Sequence, residues 1–311
     1  LYVFDVQQGV HMTSPPAQDT WTTRRLLEWM QTHFETQGVH APDVTAQMLL
    51  AHVLEVEPIL LFTDPDRPAQ AGERDRLRGL VTRASGHEPV QYVVGRAQFL
   101  GRAFEVNPSV LIPRTASESI IQAVLDRQRG GVAGGIVPPI NWAADVGTGS
   151  GCLAVSLSLH LPESRVVATD LSPDAIEVAR RNIECHGRSD HIELRRGDGI
   201  DPLRSETPSG GFDLIVSNPP YIADATWSTL DVNVRDHEPS MALRGGTDGL
   251  DCIRRIIAEA GDVLADDGLF VLEFGDDQAS SVQTLAESLG PAKIVRDVFG
   301  DDRIVVVDRA R

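Results

Sequence analysis

From Ile140 to the end of the chain, short apolar runs alternate with helical stretches, and this rhythm limits the possible folds more than any other feature. "INWAADV", "RVVATD", "HIELRRGD", "FDLIVS", "GLFVLEFG", "KIVRDVF" and "RIVVVDR" read as strands. "GCLAVSLSLHL" and "PDAIEVARRNIECHG" read as helices, the second opened by Pro173 in its first turn, and a further helix runs from about Leu250 to Leu264. Strands alternating with helices predict an α/β fold whose mainly parallel sheet is covered on both faces. Ligands of such sheets sit at the carboxyl ends of the strands.

The first strand runs directly into "DVGTGSG", Asp145–Gly151. Gly147, Gly149 and Gly151 allow a tight turn and let a ligand approach the backbone, with Thr148 and Ser150 between them. The pattern is G-x-G-x-G, with Cys152 where a dinucleotide fingerprint has its last small residue, and no P-loop lysine follows. Asp170 ends the second strand about 20 residues further on, where a carboxylate can accept from both ribose hydroxyls. Asp198 ends the third strand in "RGDG", where an adenine could lie, and Asp145 at the mouth of the loop could face a cationic group. Together these features predict a site for a nucleoside without phosphates, and S-adenosylmethionine is the expected cofactor.

The fourth strand ends in "SNPPYI". Prolines have no backbone N–H, so they stiffen the chain and hold carbonyls without competing donors. Asn218 Oδ1 and the Pro219 carbonyl could grip both hydrogens of a planar NH₂ group, on a backbone stiffened by Pro220. Tyr221 could stack on the planar group. A delocalised nitrogen held this way has its lone pair aimed at a methyl donor, and positioning is worth up to roughly 7–11 kcal/mol. Transfer to a neutral nitrogen needs no strong base before attack, because the proton leaves afterwards.

Residues 20–87 read as a small helical bundle. "TWTTRRLLEWMQTHFETQG" puts Leu26, Leu27, Met30 and Phe34 on one face and stops at Gly38. Pro42 and Asp43 open a second helix, and Leu77, Leu80 and Val81 mark a third over about 69–85. Periodicity alone favours a structural cap over a docking module for a macromolecular substrate. In 88–112, Gly101 and Arg102 between "AQFL" and "AFEV" predict a hairpin linker, leaving 113–311 as the catalytic domain. "GGVAGGIVPP" reads as a flexible break, and 1–12, ending in "HM", as a cloning remnant with no signal-peptide pattern. The chain carries 28 basic against 45 acidic residues, a net charge of −17, which disfavours general nucleic-acid binding. The three cysteines, Cys152, Cys185 and Cys252, are dispersed and suggest reduced thiols in a cytoplasm. No motif suggests a metal site, and no apolar run is long enough for a membrane span.

These residues resemble class I S-adenosylmethionine-dependent methyltransferases. More narrowly, "EPVQYVVG", "FLGRAFEV", "VLIPR", "DVGTGSGCLAVSL", "SNPPYI", "EPSMALRGGTDGLD", "LEFGDDQ" and "VFGDDRIVVV" are similar to the HemK/PrmC family, the N5-glutamine methyltransferases of peptide chain release factors. The resemblance spans about residues 20–311. It implies a Rossmann-like catalytic domain with seven strands, a helical N-terminal domain that docks the substrate, and a hairpin between them. It also implies a protein substrate, the glutamine of a release factor's Gly-Gly-Gln loop, and an enzyme acting as a monomer without nucleic acid or membrane. By position, Gly147–Gly151, Asp170, Asn218 and, more loosely, Asp198 would contact the cofactor. Asn218, Pro219, Pro220 and Tyr221 would hold the glutamine. The family segment after "IPR" is Pro-Glu-Thr-Glu, whereas this chain has Thr115-Ala116-Ser117-Glu118, which leaves Arg114, a candidate substrate residue, in need of a partner. Two other readings compete: an N6-adenine methyltransferase of DNA or RNA, whose target is also a planar NH₂, and a non-catalytic partner protein that keeps the fold.

Overall fold

The structure is a computed structural model that describes residues 20–130 and 138–309. The expected remnant at 1–12 and most of the glycine-rich break, residues 131–137, lie outside the described residues. The chain divides into two units. The first comprises the residues up to Gly95 together with Asp231–His237, and the second Arg96–Leu230 with Glu238 onward.

The first unit is helical. In α1, Thr23–Gln37, the Thr22 hydroxyl accepts from the Arg25 N–H, and Gly38 ends the helix in the left-handed region at φ 68°. Leu26, Met30 and Phe34 recur on its inner face, while Leu27 is only partly buried. The next helix, α2, spans Pro42–Leu54, and α3, Ala71–Ser85, opens on a capping box between Gln70 and Glu73. Leu49, Leu50, Leu77 and Val81 complete the core. Each fully buried side chain of this size is worth about 1.5–3 kcal/mol.

The expected hairpin linker over 88–112 is corrected at its start. Val90–Val94 forms a one-turn helix, α4, that packs Val90, Val93 and Val94 into the first unit's core. Valine-rich sequence favours a strand by propensity, but apolar spacing at i, i+3 and i+4 together with a buried partner surface prevails. The Arg83 guanidinium donates to the Val93 carbonyl at 3.3 Å, and Gly95, at φ 74°, closes the turn. The hairpin itself is confined to β1, Arg96–Phe99, and β2, Arg102–Glu105. Leu100 and Gly101 turn it with positive φ, and the Leu100 N–H donates to Glu118 Oε1 at 2.7 Å.

The second unit continues with α5 (Glu118–Gly130), β3 (Trp142–Val146), α6 (Cys152–His160), β4 (Arg165–Asp170), α7 (Pro173–Cys185), β5 (Ile192–Arg196), α8 (Asp201–Arg204) and β6 (Phe212–Ser217). The short α9 (Val232–Arg235) lies in the stretch that belongs to the first unit. Then come α10 (Asp251–Ala260), β7 (Leu264–Glu273), α11 (Ala279–Ala286), β8 (Ala292–Arg296) and β9 (Asp302–Asp308). The strands form one seven-stranded sheet in the order β5-β4-β3-β6-β7-β9-β8. The first five in that order are parallel, and β9 is antiparallel to both its neighbours. Successive residues point to opposite faces. Ala144, Val167, Ile215 and Phe270 meet Ile253, Ile256 and Ile257 of α10 on one face. Ala143, Val166, Leu214 and Val271 meet Ile120, Leu153, Leu157 and Ile183 on the other. This is the Rossmann-like fold of class I methyltransferases. Its order reverses between β3 and β6, so the crevice for a ligand opens at the carboxyl ends of these two strands.

Candidate active site

A cavity of about 270 Å³ opens at that reversal point. It is lined by Gly147, Thr148, Gly149 and Ser150 after β3, Asp170 after β4, Asp198 after β5, and Asn218, Pro219 and Pro220 after β6. Ser109–Leu111, Arg114 and Ser117 form part of its wall. The cavity therefore gathers the ends of four neighbouring strands with a segment that precedes the sheet in sequence.

The glycine loop is shaped by its own backbone. The Thr169 carbonyl accepts from the N–H groups of both Gly147, at 2.9 Å, and Thr148, at 2.8 Å. Gly147, Gly149 and Gly151 have φ of 77°, 54° and 81°, a region that side chains disfavour. A Cβ on Gly151 would also lie 3.3 Å from Ala179 of α7. Asp170 holds the loop with both oxygens: Oδ2 accepts from the Gly149 N–H and Oδ1 from the Ser172 N–H, each at 2.9 Å. Burial pushes its carboxyl pKa up, against the pull of these amides. A buried asparagine, Asn182, ties the loop to the hairpin. Its Nδ2 donates to the Ser150 carbonyl at 2.8 Å and its Oδ1 accepts from the Glu105 N–H at 2.7 Å.

Two candidates occupy other places than expected. Asp145 does not face the cavity. It is fully buried beneath the loop, where Oδ2 accepts from the Thr148 hydroxyl at 2.6 Å and the Ala154 N–H at 3.0 Å. Burial, together with the nearby Asp170 charge, raises its pKa to about 7. Its position at a strand end suggested exposure, but the pleat turns it inward. Tyr221 is likewise absent from the cavity wall. Its ring packs against the apolar layer below, and its hydroxyl donates to Glu273 Oε1 at 3.2 Å. Asp198 keeps its place on the wall, but its carboxylate is shared with the Arg255 guanidinium.

Asn218 and the prolines are braced from behind. Asn218 Nδ2 donates to Ser117 Oγ at 2.8 Å. Among the described residues, no donor takes up the Pro219 carbonyl. The "ALRGGTDGLD" segment wraps this turn: the Ile222 N–H donates to the Leu243 carbonyl and the Gly245 N–H to the Ile222 carbonyl, both at 2.9 Å. A Cβ on Gly249 would lie 2.3 Å from the Tyr221 carbonyl oxygen, and one on Gly245 would lie 2.8 Å from that of Pro220. Gln278 closes the ring by donating Nε2 to the Tyr221 carbonyl at 2.9 Å. Arg114 finds its partner in buried Glu238, with Nη2 to Oε1 at 2.5 Å, and Glu238 Oε2 also accepts from the Ile112 N–H.

Sequence reading missed Ser117, Asn182, Glu238 and Glu273. A signal for Glu273 was present, because an acid inside the apolar run "GLFVLEFG" is seldom buried without a task. Asn182, in the middle of an ordinary amphipathic helix, gave none.

The donor set fits a phosphate-free nucleoside. Carboxylates and small hydroxyls surround the glycine loop, and the only cation among the described lining residues, Arg114, is already paired.

Comparison with known proteins identifies the family. The family model for the PrmC N-terminal domain matches residues 25–95, and that for the methyltransferase small domain matches 138–234. A release factor glutamine methyltransferase of Geobacter sulfurreducens is 38% identical, over 94% of this chain and 98% of its own length. Those of Chlorobaculum tepidum and Rhodopirellula baltica are 36% and 34% identical, and each is covered to 97%. Among solved structures, the hMettl16 catalytic domain in complex with an RNA hairpin superposes with a TM-score of 0.52 at 15% identity, over 78% of this chain and 84% of that one. At that identity the likeness speaks for the fold alone. The chain belongs to the release factor glutamine methyltransferase family.

Proposed function

We infer that this enzyme transfers a methyl group from S-adenosylmethionine to the side-chain amide nitrogen, N5, of the glutamine in the Gly-Gly-Gln loop of class I peptide chain release factors. The observation that carries the reading is one cavity walled on one side by the glycine loop with Asp170 and on the other by Asn218, Pro219 and Pro220. Near-full-length similarity to three curated family members supports the choice of substrate.

In this reading Gly147–Ser150 and Asp170 hold the nucleoside, with Asp198 near the base. Asp145 acts from beneath by holding the loop in shape. The cofactor supplies an activated methyl group on a sulfonium. The chain's task is to orient the amide. Asn218 Oδ1 and the Pro219 carbonyl accept from the two glutamine N–H groups, which fixes the plane of the amide and directs the nitrogen lone pair toward the methyl. Fixed acceptors also favour the positive charge that develops on nitrogen. No base is required until the bond has formed, and water then takes the proton. Tyr221 contributes by supporting the turn instead of stacking on the substrate. The helical unit is the docking module for the release factor, and the enzyme works as a monomer in the cytoplasm, where translation terminates.

Incubating the purified protein with S-adenosylmethionine and a release factor, followed by peptide mass spectrometry, should show one added methyl group on the loop glutamine. No methyl there, or a methyl on nucleic acid instead, would overturn the reading, and the second outcome would favour the adenine-directed alternative.

A further inference from the structure

We propose that the turn between β8 and β9 is a docking knob for the protein substrate: Phe299 and Val298 seat in an apolar hollow of a release factor whose rim is basic. The inference deepens the reading above and rests on it for the identity of the partner. The turn opens "VFGDDRIVVV", none of whose residues lines the cavity. Phe299 is 69% exposed and Val298 58%, and Val295 near the end of β8 is exposed as well. Their backbone is nonetheless held firmly. Asp297 is buried, and its Oδ1 accepts from the Phe299 N–H at 2.8 Å and the Asp301 N–H at 3.0 Å. The Asp297 N–H donates to the Asp301 carbonyl at 2.8 Å, and Gly300 turns the chain at φ 94°. Single exposed apolar side chains are ordinary on a surface. An adjacent pair on a turn braced by a buried carboxylate is preorganised for binding, since less ordering remains when a partner arrives.

The sheet register puts this knob beside the acceptor wall. Ser217 pairs with Leu272, and Glu273 with Ile304, so Asn218 stands level with Ile304 two strands away. Because β9 is antiparallel to β7, its start at Asp302 lies beyond that level, past the carboxyl edge on which the cavity opens. Strand spacing of about 4.8 Å and a rise of about 3.3 Å per residue place Phe299 on the order of 15–20 Å from Asn218. A circular patch of the usual ~800 Å² per partner has a radius of roughly 16 Å. A protein that inserts a loop at Asn218 therefore reaches the knob at the margin of an ordinary interface. The charge around the knob selects the face that meets it. Asp276 and Asp277 follow β7, Asp301 precedes β9 and Asp302 opens it, and all four are exposed. Arg296 pairs with Asp302 and Arg303 with Asp276, while among the described residues no cation pairs with Asp277 or Asp301. Release factors act inside the ribosome, where RNA phosphates reward basic residues on an entering surface. Carboxylates around an apolar knob are the complement of such a surface.

Phe299→Ala tests this directly. The KM for a release factor should rise about tenfold, as for truncation of one aromatic interface contact. The kcat at saturation, the KM for S-adenosylmethionine and the unfolding midpoint should stay near wild type. Phe299→Leu, which keeps an apolar knob, should recover most of the loss. Asp277→Lys combined with Asp301→Lys should also raise this KM and flatten its rise with salt. A wild-type KM in Phe299→Ala would overturn the proposal. Failure of Phe299→Ala to fold would overturn it too, because the ring would then be structural. An unchanged KM, together with self-association that Phe299→Ala abolishes, would overturn it by giving the knob to a second copy of this chain. A binding measurement separates the docking surface from the substrate assignment. A fluorescently labelled release factor with its loop glutamine replaced by alanine should bind wild-type enzyme about tenfold more tightly than it binds Phe299→Ala. Equal affinities would refute the docking surface whatever the enzyme methylates. A tenfold difference, with no methyl group on the loop glutamine of an unaltered release factor, would instead refute the assigned reaction and leave the docking surface standing.

Discussion

The two walls of the cavity are built in opposite ways. The glycine-loop wall is local: Gly147, Thr148, Gly149, Ser150 and Asp170 follow two adjacent strands, and backbone amides make most of its contacts. The Asn218 wall is assembled from distant parts of the chain, with Ser117 on one side, Gly245–Gly249 around the turn, and Glu273 and Gln278 behind it. In the function proposed above, the wall that binds a common cofactor can rely on backbone shape, whereas the wall that fixes the plane of one amide needs side chains held by other side chains.

The largest expected effect lies at the second wall. Asn218→Ala should lower kcat about 10³-fold, near the upper end for removal of one transition-state hydrogen-bonding group. S-adenosylmethionine binding by calorimetry should change far less. A rate within a few-fold of wild type would remove Asn218 from the chemistry and erase the contrast.

Next come the glycines. Gly249→Ala adds a methyl where the Tyr221 oxygen is 2.3 Å away and φ is +78°, and it should cost about 3 kcal/mol in denaturant unfolding. Gly149→Ala meets open space at φ +54° and should cost only about 1–2 kcal/mol, the left-handed penalty alone. Equal costs at the two sites would mean that the second wall is no more tightly packed than the first.

The last effect depends on pH. Asp145 has its folded-state pKa raised to about 7 by burial, from an ordinary carboxylate value. The native state therefore holds this proton more tightly than the unfolded state. Its stabilising contribution is present at about pH 4 and is lost as pH rises through 7. Asp145→Asn keeps an acceptor for Thr148 and Ala154 but carries no charge. In the absence of cofactor it should exceed wild type by about 2 kcal/mol at pH 8 and match it near pH 4. A constant difference across this range would show that Asp145 is not strained by its burial.

The same contrast explains what could be read from the sequence. The sheet, the glycine loop and Asp170 follow from short-range patterns, in which strand periodicity and glycine spacing point directly to geometry. Asn218 and Pro219 were legible because a strand that ends on two prolines has few explanations. The braces were not. Ser117 lies 101 positions from the amide it holds, and only the folded chain brings them together. The stretch Val90–Val94 was hidden for a related reason, because its helical state comes from packing into the first unit and runs against the preference of its valines. Asp145, inside β3, and Tyr221, beyond β6, turn away from the cavity wall, a direction that local sequence does not give.

The stretch Asp231–His237 leaves the methyltransferase portion and joins the helical unit, where the His237 ring nitrogen meets the Gly86 carbonyl at 3.2 Å, before the chain returns at Glu238. The polypeptide thus enters the helical unit twice. Dissecting the protein at Gly95 would not yield two self-sufficient pieces, because the fragment starting at Arg96 would keep a strip of chain whose packing partners had been cut away. That strip is flanked in sequence by Leu230 and by Glu238, the partner of Arg114, so a deletion of the whole helical unit would also cut the chain next to Glu238.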